Sequence, residues 1–168
     1  MSFVPQTLER EGIAQRIPHR GSMCLLERLE GWDAETIRCS TATHRDADNP
    51  LRTASGLLAP NAVEYAAQAM ALHGGLLASE GATPSAGFLA STRGVRTTVA
   101  RLDEVEGRLQ VEARRLSGDA RQVMYEFWLR DGEGRALADG RAVVVLNTPL
   151  ALDLSLIHIS EPTRQEAI

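Results

Sequence analysis

The sequence predicts an α+β fold in which an antiparallel β-sheet wraps around one long central α-helix. Three observations predict it. Residues 58–80 form an Ala-rich segment whose Ala62, Val63, Tyr65, Ala66, Ala67, Ala69, Met70, Ala71 and Leu72 leave almost no polar face, and a helix that is apolar all round is buried. Period-two patterning follows at 109–116 and more clearly at 123–130, where Val123, Tyr125, Phe127 and Leu129 share one face. Ser117-Gly118-Asp119 and Asp131-Gly132-Glu133-Gly134 are turn sequences between these runs and the apolar run at 136–146. A sheet folded over one helix buries the apolar face of each.

The elements follow in order. Residues 1–16 are polar and fit a short helix or arm. Pro18 and Gly21 punctuate a loop, and the apolar run after it fits a first strand. Residues 36–43 alternate with period two and are rich in β-branched side chains, which predicts a strand. Residues 44–56 are polar and carry Asn49-Pro50, which predicts a loop. The helix has Pro60 near its start and Gly74-Gly75 near its expected end. A linker is expected at 81–85 and a strand at 88–99. There is no internal repeat.

Composition excludes several chemistries. The chain has 168 residues, which suits one domain with a real core. All 18 basic residues are Arg, so a Schiff-base lysine, a pyridoxal phosphate lysine and a P-loop are excluded. The net charge of −4 argues against nucleic acid. Cys24 and Cys39 lack a CxxC spacing and read as small core residues of a reducing compartment, and the four scattered His give no zinc motif. No metal or cofactor is expected. There is no run long enough to span a membrane and no leader-like segment, so a cytoplasmic location is expected. Residues 154–168 are set aside. Their eleven-residue string from Leu154 to Arg164 resembles a translated sequencing-library adapter, which leaves a single domain over 1–153.

Candidate site residues stand out against this background. At roughly 100° per residue, Asn61, Glu64 and Gln68 fall on one side of the helix and His73 lies opposite. An ionised Glu is rarely buried without a partner or a task. Asn61 and Glu64 also fit a capping-box variant, Gln68 fits a partner for Glu64 or a contact to another subunit, and His73 fits a helix C-terminal residue favoured by the dipole. His19, just after Pro18, by itself also fits a surface loop.

Two segments carry a family resemblance. Ile17-Pro18-His19-Arg20-Gly21-Ser22-Met23 resembles the Leu-Pro-His-Arg motif of the hotdog-fold 3-hydroxyacyl-ACP dehydratases of the FabZ and FabA type. Asn61-Ala62-Val63-Glu64-Tyr65-Ala66-Ala67-Gln68-Ala69-Met70 resembles the start of their central helix. The nearest resemblance is to the ApeP-type dehydratases of aryl-polyene gene clusters, over residues 12–146. The pre-helix loop from Asn49 to Pro60 departs from the Pro-Gly-His-Pro-like loop of the FabZ type and is of the ApeP-like kind. The resemblance implies a hotdog fold with His19 and Glu64 catalytic, and Asn61 and Gln68 beside the substrate. It implies an acyl carrier protein (ACP) thioester as substrate, docked on Arg93 and Arg96, with Arg101, Arg45 and Arg52 as further candidates. It also implies a homodimer or a heterodimer with a related hotdog chain, with His from one subunit facing Glu from the other.

The chemistry fits those residues. Dehydrating a 3-hydroxyacyl thioester removes a proton from C2 and expels the C3 hydroxyl as water. Histidine titrates where such a base must work, and a carboxyl in an apolar pocket can hold the proton that the leaving oxygen needs. N–H groups at a helix start could hold the charge on the thioester oxygen. Two other readings stay open: a hotdog thioesterase in which Glu64 activates water, and a non-catalytic subunit that pairs with another dehydratase. His19 favours dehydration over hydrolysis.

Overall fold

The computed structural model describes residues 4–79 and 87–146. The expected linker at 81–85 and the set-aside tail at 154–168 lie outside the described residues. Strand β1 (Leu8–Glu9) leads into a short helix, α1 (Arg10–Ala14). Strands β2 (Arg28–Trp32) and β3 (Thr36–Thr41) follow. A polar loop and a 3₁₀ turn (Ala59–Asn61) then lead into the central helix α2 (Ala62–Ser79). Strands β4 (Gly87–Thr97), β5 (Leu109–Gly118), β6 (Gln122–Arg130) and β7 (Ala136–Leu146) complete the described chain. The seven strands form one sheet in the order β1-β2-β3-β5-β6-β7-β4, and every pairing is antiparallel.

The core lies between α2 and the concave face of this sheet. Tyr65, Ala66, Ala69, Leu72 and Leu76 of the helix are fully buried, together with Ile37, Val111, Phe127 and Leu129 of the strands. Each such Leu or Phe stabilises the fold by about 1.5–3 kcal/mol through burial. The alternation read from 123–130 holds, because Val123, Tyr125, Phe127 and Leu129 all point into this core. Cys24 and Cys39 are free and buried, and burial pushes the Cys39 thiol up to about 12. No helix among the described residues is long and apolar enough to cross a membrane.

Three local expectations are corrected. The apolar run after Gly21 is not a strand: Cys24, Leu25 and Leu26 are buried beside the helix, and β2 begins only at Arg28. Strand β3 stops at Thr41, because the Thr41 and Thr43 hydroxyls turn to donate to the Leu25 carbonyl. The helix runs through Gly74-Gly75 to Ser79. Buried Leu76 offsets the roughly 1 kcal/mol that each glycine costs a helix. Gly75 sits at a close approach, since a Cβ there would stand 3.0 Å from the Arg16 carbonyl oxygen.

Candidate active site

The loop that carries His19 is fixed at both ends by burial. Ile17 precedes it, and Cys24 to Leu26 follow it into the core. Arg20 folds back to donate to the carbonyls of Ala14 and Ile17, and Arg10 donates to the carbonyl of Gly21. The helix side of the site is Glu64, in the first turn of α2. The two meet within one chain: His19 Nε2 lies 3.3 Å from Glu64 Oε1, with the side chains 23% and 35% exposed. The pair is therefore screened from bulk water and still reachable. His19 Nδ1 is buried and has no hydrogen-bond partner among the described residues. The two residues meet here because the loop after α1 reaches the start of its own α2.

Gln68 takes a different role from the one expected. It is fully buried. Its Oε1 accepts from the Leu25 N–H at 2.9 Å, and its Nε2 donates to the Met23 carbonyl at 2.7 Å. It contacts the backbone of the His19 loop rather than Glu64. Tyr65, one turn earlier, works on the same segment from the other side. Its hydroxyl joins Thr43 and Asn49, and Thr41 and Thr43 donate to the Leu25 carbonyl. The Leu25 peptide is thus held at its N–H and at its oxygen. No sequence pattern marked Tyr65, Thr41 or Thr43 as site residues, since hydroxyls on apolar elements look like ordinary β-formers.

Asn61 is not a capping-box residue. Its side chain donates to the Leu58 carbonyl at 3.1 Å. The start of the helix also offers less to an oxyanion than expected. The N–H of Ala59 donates to Ala100, that of Asn61 to Leu58, and that of Ala62 returns to the carbonyls of the 3₁₀ turn. His73 is corrected as well: it is fully buried, more than a turn before the helix ends. Its Nδ1 meets the Tyr125 hydroxyl and its Nε2 the Asp33 carbonyl, both at 2.7 Å. Burial lowers its pKa.

The pre-helix loop is braced by Asp103. It accepts from the Leu57 N–H and from Arg101, and it pairs with Arg52. These contacts hold its carboxyl far below the usual range. Gly56, at φ +96°, leaves room for the Arg101 guanidinium, which a Cβ would meet at 2.5 Å. Arg101 and Arg52 are thereby engaged, Arg45 donates to the Val105 carbonyl, and Arg96 pairs with Asp139 at 3.2 Å. Arg93 is exposed beside Arg141 across the β4–β7 pairing, with no acidic partner among the described residues.

Behind the pair lies a cavity of about 470 Å³. Its floor is the side of α2 formed by Ala67, Ala71, Gly74 and Ala78, and β4 and β7 overhang it through Leu89 and Val144. This explains the helix without a polar face: one side packs on the sheet, and the other faces an apolar hollow.

An antiparallel sheet wrapped around one long helix defines a hotdog-fold protein. Solved structures agree. A chain of the dehydratase heterocomplex ApeI:P from Xenorhabdus doucetiae superposes with a TM-score of 0.75 at 26% identity, over 86% of this chain and 96% of that one. A thioesterase from Haemophilus influenzae gives 0.60 at 13% identity, over 83% and 90%. The E. coli PaaI protein of the phenylacetic acid degradation operon gives 0.56 at 9%, over 81% and 88%. The latter two establish the fold alone. No curated protein matches the chain. The family model of the ApeP dehydratases matches residues 11–153, and the chain belongs to this ApeP-like dehydratase family.

Proposed function

We propose that this protein dehydrates a 3-hydroxyacyl thioester carried on an acyl carrier protein to the 2-enoyl thioester. The observation that carries the reading is the 3.3 Å contact between His19 Nε2 and Glu64 Oε1. His19 Nε2 takes the proton from C2. The electron pair forms the C2–C3 double bond, and the C3 oxygen leaves as water with the proton that Glu64 supplies. Acid and base side by side suit a reaction whose two protons move at adjacent carbons on one face of the substrate. Replacing His19 by Ala or Glu64 by Gln is expected to lower single-turnover dehydration by roughly a hundredfold to ten-thousandfold while the protein stays folded. Near-normal rates in both variants would refute the assignment.

Because both groups come from one chain, mixing His19→Ala and Glu64→Gln chains is expected to restore no activity beyond the sum of the two. Recovery on mixing would instead mean sites shared between subunits. The carrier docks on exposed arginines, with Arg93 and its neighbour Arg141 better placed than Arg96, which Asp139 already engages. Arg93→Glu with Arg141→Glu should raise KM for the carrier-bound substrate and leave an N-acetylcysteamine thioester unaffected.

A second reading is favoured by one observation: the solved chain at 26% identity belongs to a dehydratase heterocomplex, ApeI:P. The chain then works as one half of a hotdog heterodimer, cytoplasmic like its substrate. Assaying it alone and with a related hotdog chain separates the readings. Activity that needs the partner but still depends on His19 and Glu64 supports dehydration at this site. Activity indifferent to both residues assigns the chemistry to the partner.

A further inference from the structure

The start of α2 has no cap of its own. Leu58, the residue before the 3₁₀ turn, has no polar side chain to offer. Within the turn Pro60 has no N–H, the Asn61 N–H donates to the Leu58 carbonyl, and the Ala62 N–H returns to Ala59 and Pro60. The Ala59 N–H is left over on a buried residue, and buried N–H groups are rarely orphaned. Its acceptor lies far along the chain, in the Ala100 carbonyl at 3.0 Å. The stretch just before the turn is tied to the same segment. Leu58 bridges Arg101, the Leu102 N–H donates to the Leu57 carbonyl at 2.7 Å, and the Leu57 N–H donates to Asp103 Oδ1 at 2.9 Å. Residues 100–103 therefore do for α2 what a capping side chain does for other helices.

These contacts are backbone to backbone except at Asp103. Its side chain is only 4% exposed. Oδ1 accepts from the Leu57 N–H and from Arg101 Nε, and Oδ2 accepts from Arg101 Nη2 at 2.6 Å, with Arg52 Nη2 at 3.5 Å. Both oxygens are engaged inside the protein, so this carboxylate acts on Leu57 and not on a ligand. A short route leads from Leu57 to the His19–Glu64 pair. The next carbonyl, that of Leu58, accepts from the Asn61 N–H at 3.0 Å and from Asn61 Nδ2 at 3.1 Å. Glu64 stands about one turn beyond Asn61, in the first turn of α2. The His19 side is fastened elsewhere, by Arg20 on Ala14 and Ile17 and by Gln68 on Met23 and Leu25. A slack helix start therefore moves Glu64 relative to His19 instead of carrying both along.

We propose that Asp103 is a positioning residue for the reaction: by holding Leu57 it fixes the uncapped start of α2, and with it Glu64, at its distance from His19. The proposal rests on the reading above that the pair dehydrates a 3-hydroxyacyl thioester. Asp103→Ala and Asp103→Asn in the full-length chain test it. Both remove the charge that faces Arg101 and Arg52, so both are expected to lower the thermal midpoint. Only Asn keeps an oxygen in the Oδ1 position for the Leu57 N–H. Asp103→Ala is expected to lower the single-turnover rate on a 3-hydroxyacyl carrier-protein thioester by about ten- to a hundredfold, the effect of a misplaced acid, with substrate Kd within about twofold of wild type. Asp103→Asn is expected to stay within about threefold of the wild-type rate, because the hydrogen bond to Leu57 survives. Amide hydrogen exchange reads the helix start without catalysis. The Leu57 and Ala59 N–H groups should lose protection in Asp103→Ala and keep it in Asp103→Asn, while Ala69 in the middle of α2 is unchanged in both. A near-normal rate in Asp103→Ala, equal rate losses in the two variants, a loss that falls on Kd alone, or unchanged Ala59 protection in Asp103→Ala would overturn the proposal. Should Asp103→Ala not fold, Asp103→Asn decides alone, since a lost rate or lost Ala59 protection there would show that the charge, not the grip on Leu57, matters. A wild-type protein that turns over no such thioester refutes the dehydration reading, and the exchange measurements then still decide whether Asp103 fixes the helix start.

Discussion

Leu25 contributes no chemistry, yet its peptide group anchors the segment that follows the His19 loop. Gln68 holds its N–H, and Thr41 and Thr43 hold its oxygen. Removing the amide of Gln68 leaves a buried N–H without its acceptor, which costs about 1–3 kcal/mol. Gln68→Ala is therefore expected to lower thermal stability. It should also lower kcat by up to about a hundredfold through a misplaced His19, with KM little changed. Gln68→Glu discriminates this role from simple packing. The carboxylate still accepts from Leu25 but cannot donate to Met23, so activity should recover in part. Equal kcat in wild type and Gln68→Ala would show that the clamp does not position the histidine. The role of Gln68 was half legible from its place on the polar stripe with Glu64. Its partner was not, because Met23 and Leu25 lie more than forty residues earlier in the chain.

At the scale of elements, α2 carries two adjacent glycines with different surroundings. At Gly74 a Cβ would meet nothing within 4 Å, whereas at Gly75 it would press on the Arg16 backbone. Gly74→Ala is expected to stabilise the protein by roughly 0.5–1 kcal/mol through helix propensity. Gly75→Ala loses that gain by displacing Arg16, three residues before His19, and should lower activity. Thermal denaturation and single-turnover rates on the two variants check this; identical behaviour would contradict the close approach. A Gly-Gly pair in sequence reads as a helix end. The burial of Leu76 and the packing of Leu77 beyond it favour continuing the helix.

At the scale of the whole molecule, two buried histidines link stability to pH. His44 and His73 are fully buried, and burial lowers both pKa values from the ordinary 6.5. Their folded-state values lie below their unfolded values, so the unfolded chain binds more protons in that interval. The stability they contribute is complete above about pH 6.5 and is lost as pH falls through their lowered folded values. The depressed carboxylates, Asp103 foremost, act only near and below their ordinary 3.8. Urea midpoints measured from pH 8 to pH 5 are therefore expected to hold level and then decline below about 6.5. A flat profile down to pH 5 would contradict the neutral burial of these two rings.

Much of this protein was determined by the sequence alone. An Ala-rich helix with one carboxylate, β-patterned segments on either side of it and turn residues between the later ones left few ways to bury the apolar surface. The strand at 136–146 has the bounds read from its patterning. Glu64 stood out in the sequence as a carboxylate on an apolar helix, whereas His19 was singled out only by the resemblance of its Pro-His-Arg segment to a family motif. Tertiary structure alone decided that the two meet within one chain, that Gln68 grips a loop, that His73 is a core residue, and that one side of the helix faces a cavity. The physical reason is range. Periodicity and caps act over a few residues, whereas these contacts join segments tens of residues apart, and only the closed sheet sets which of them face each other.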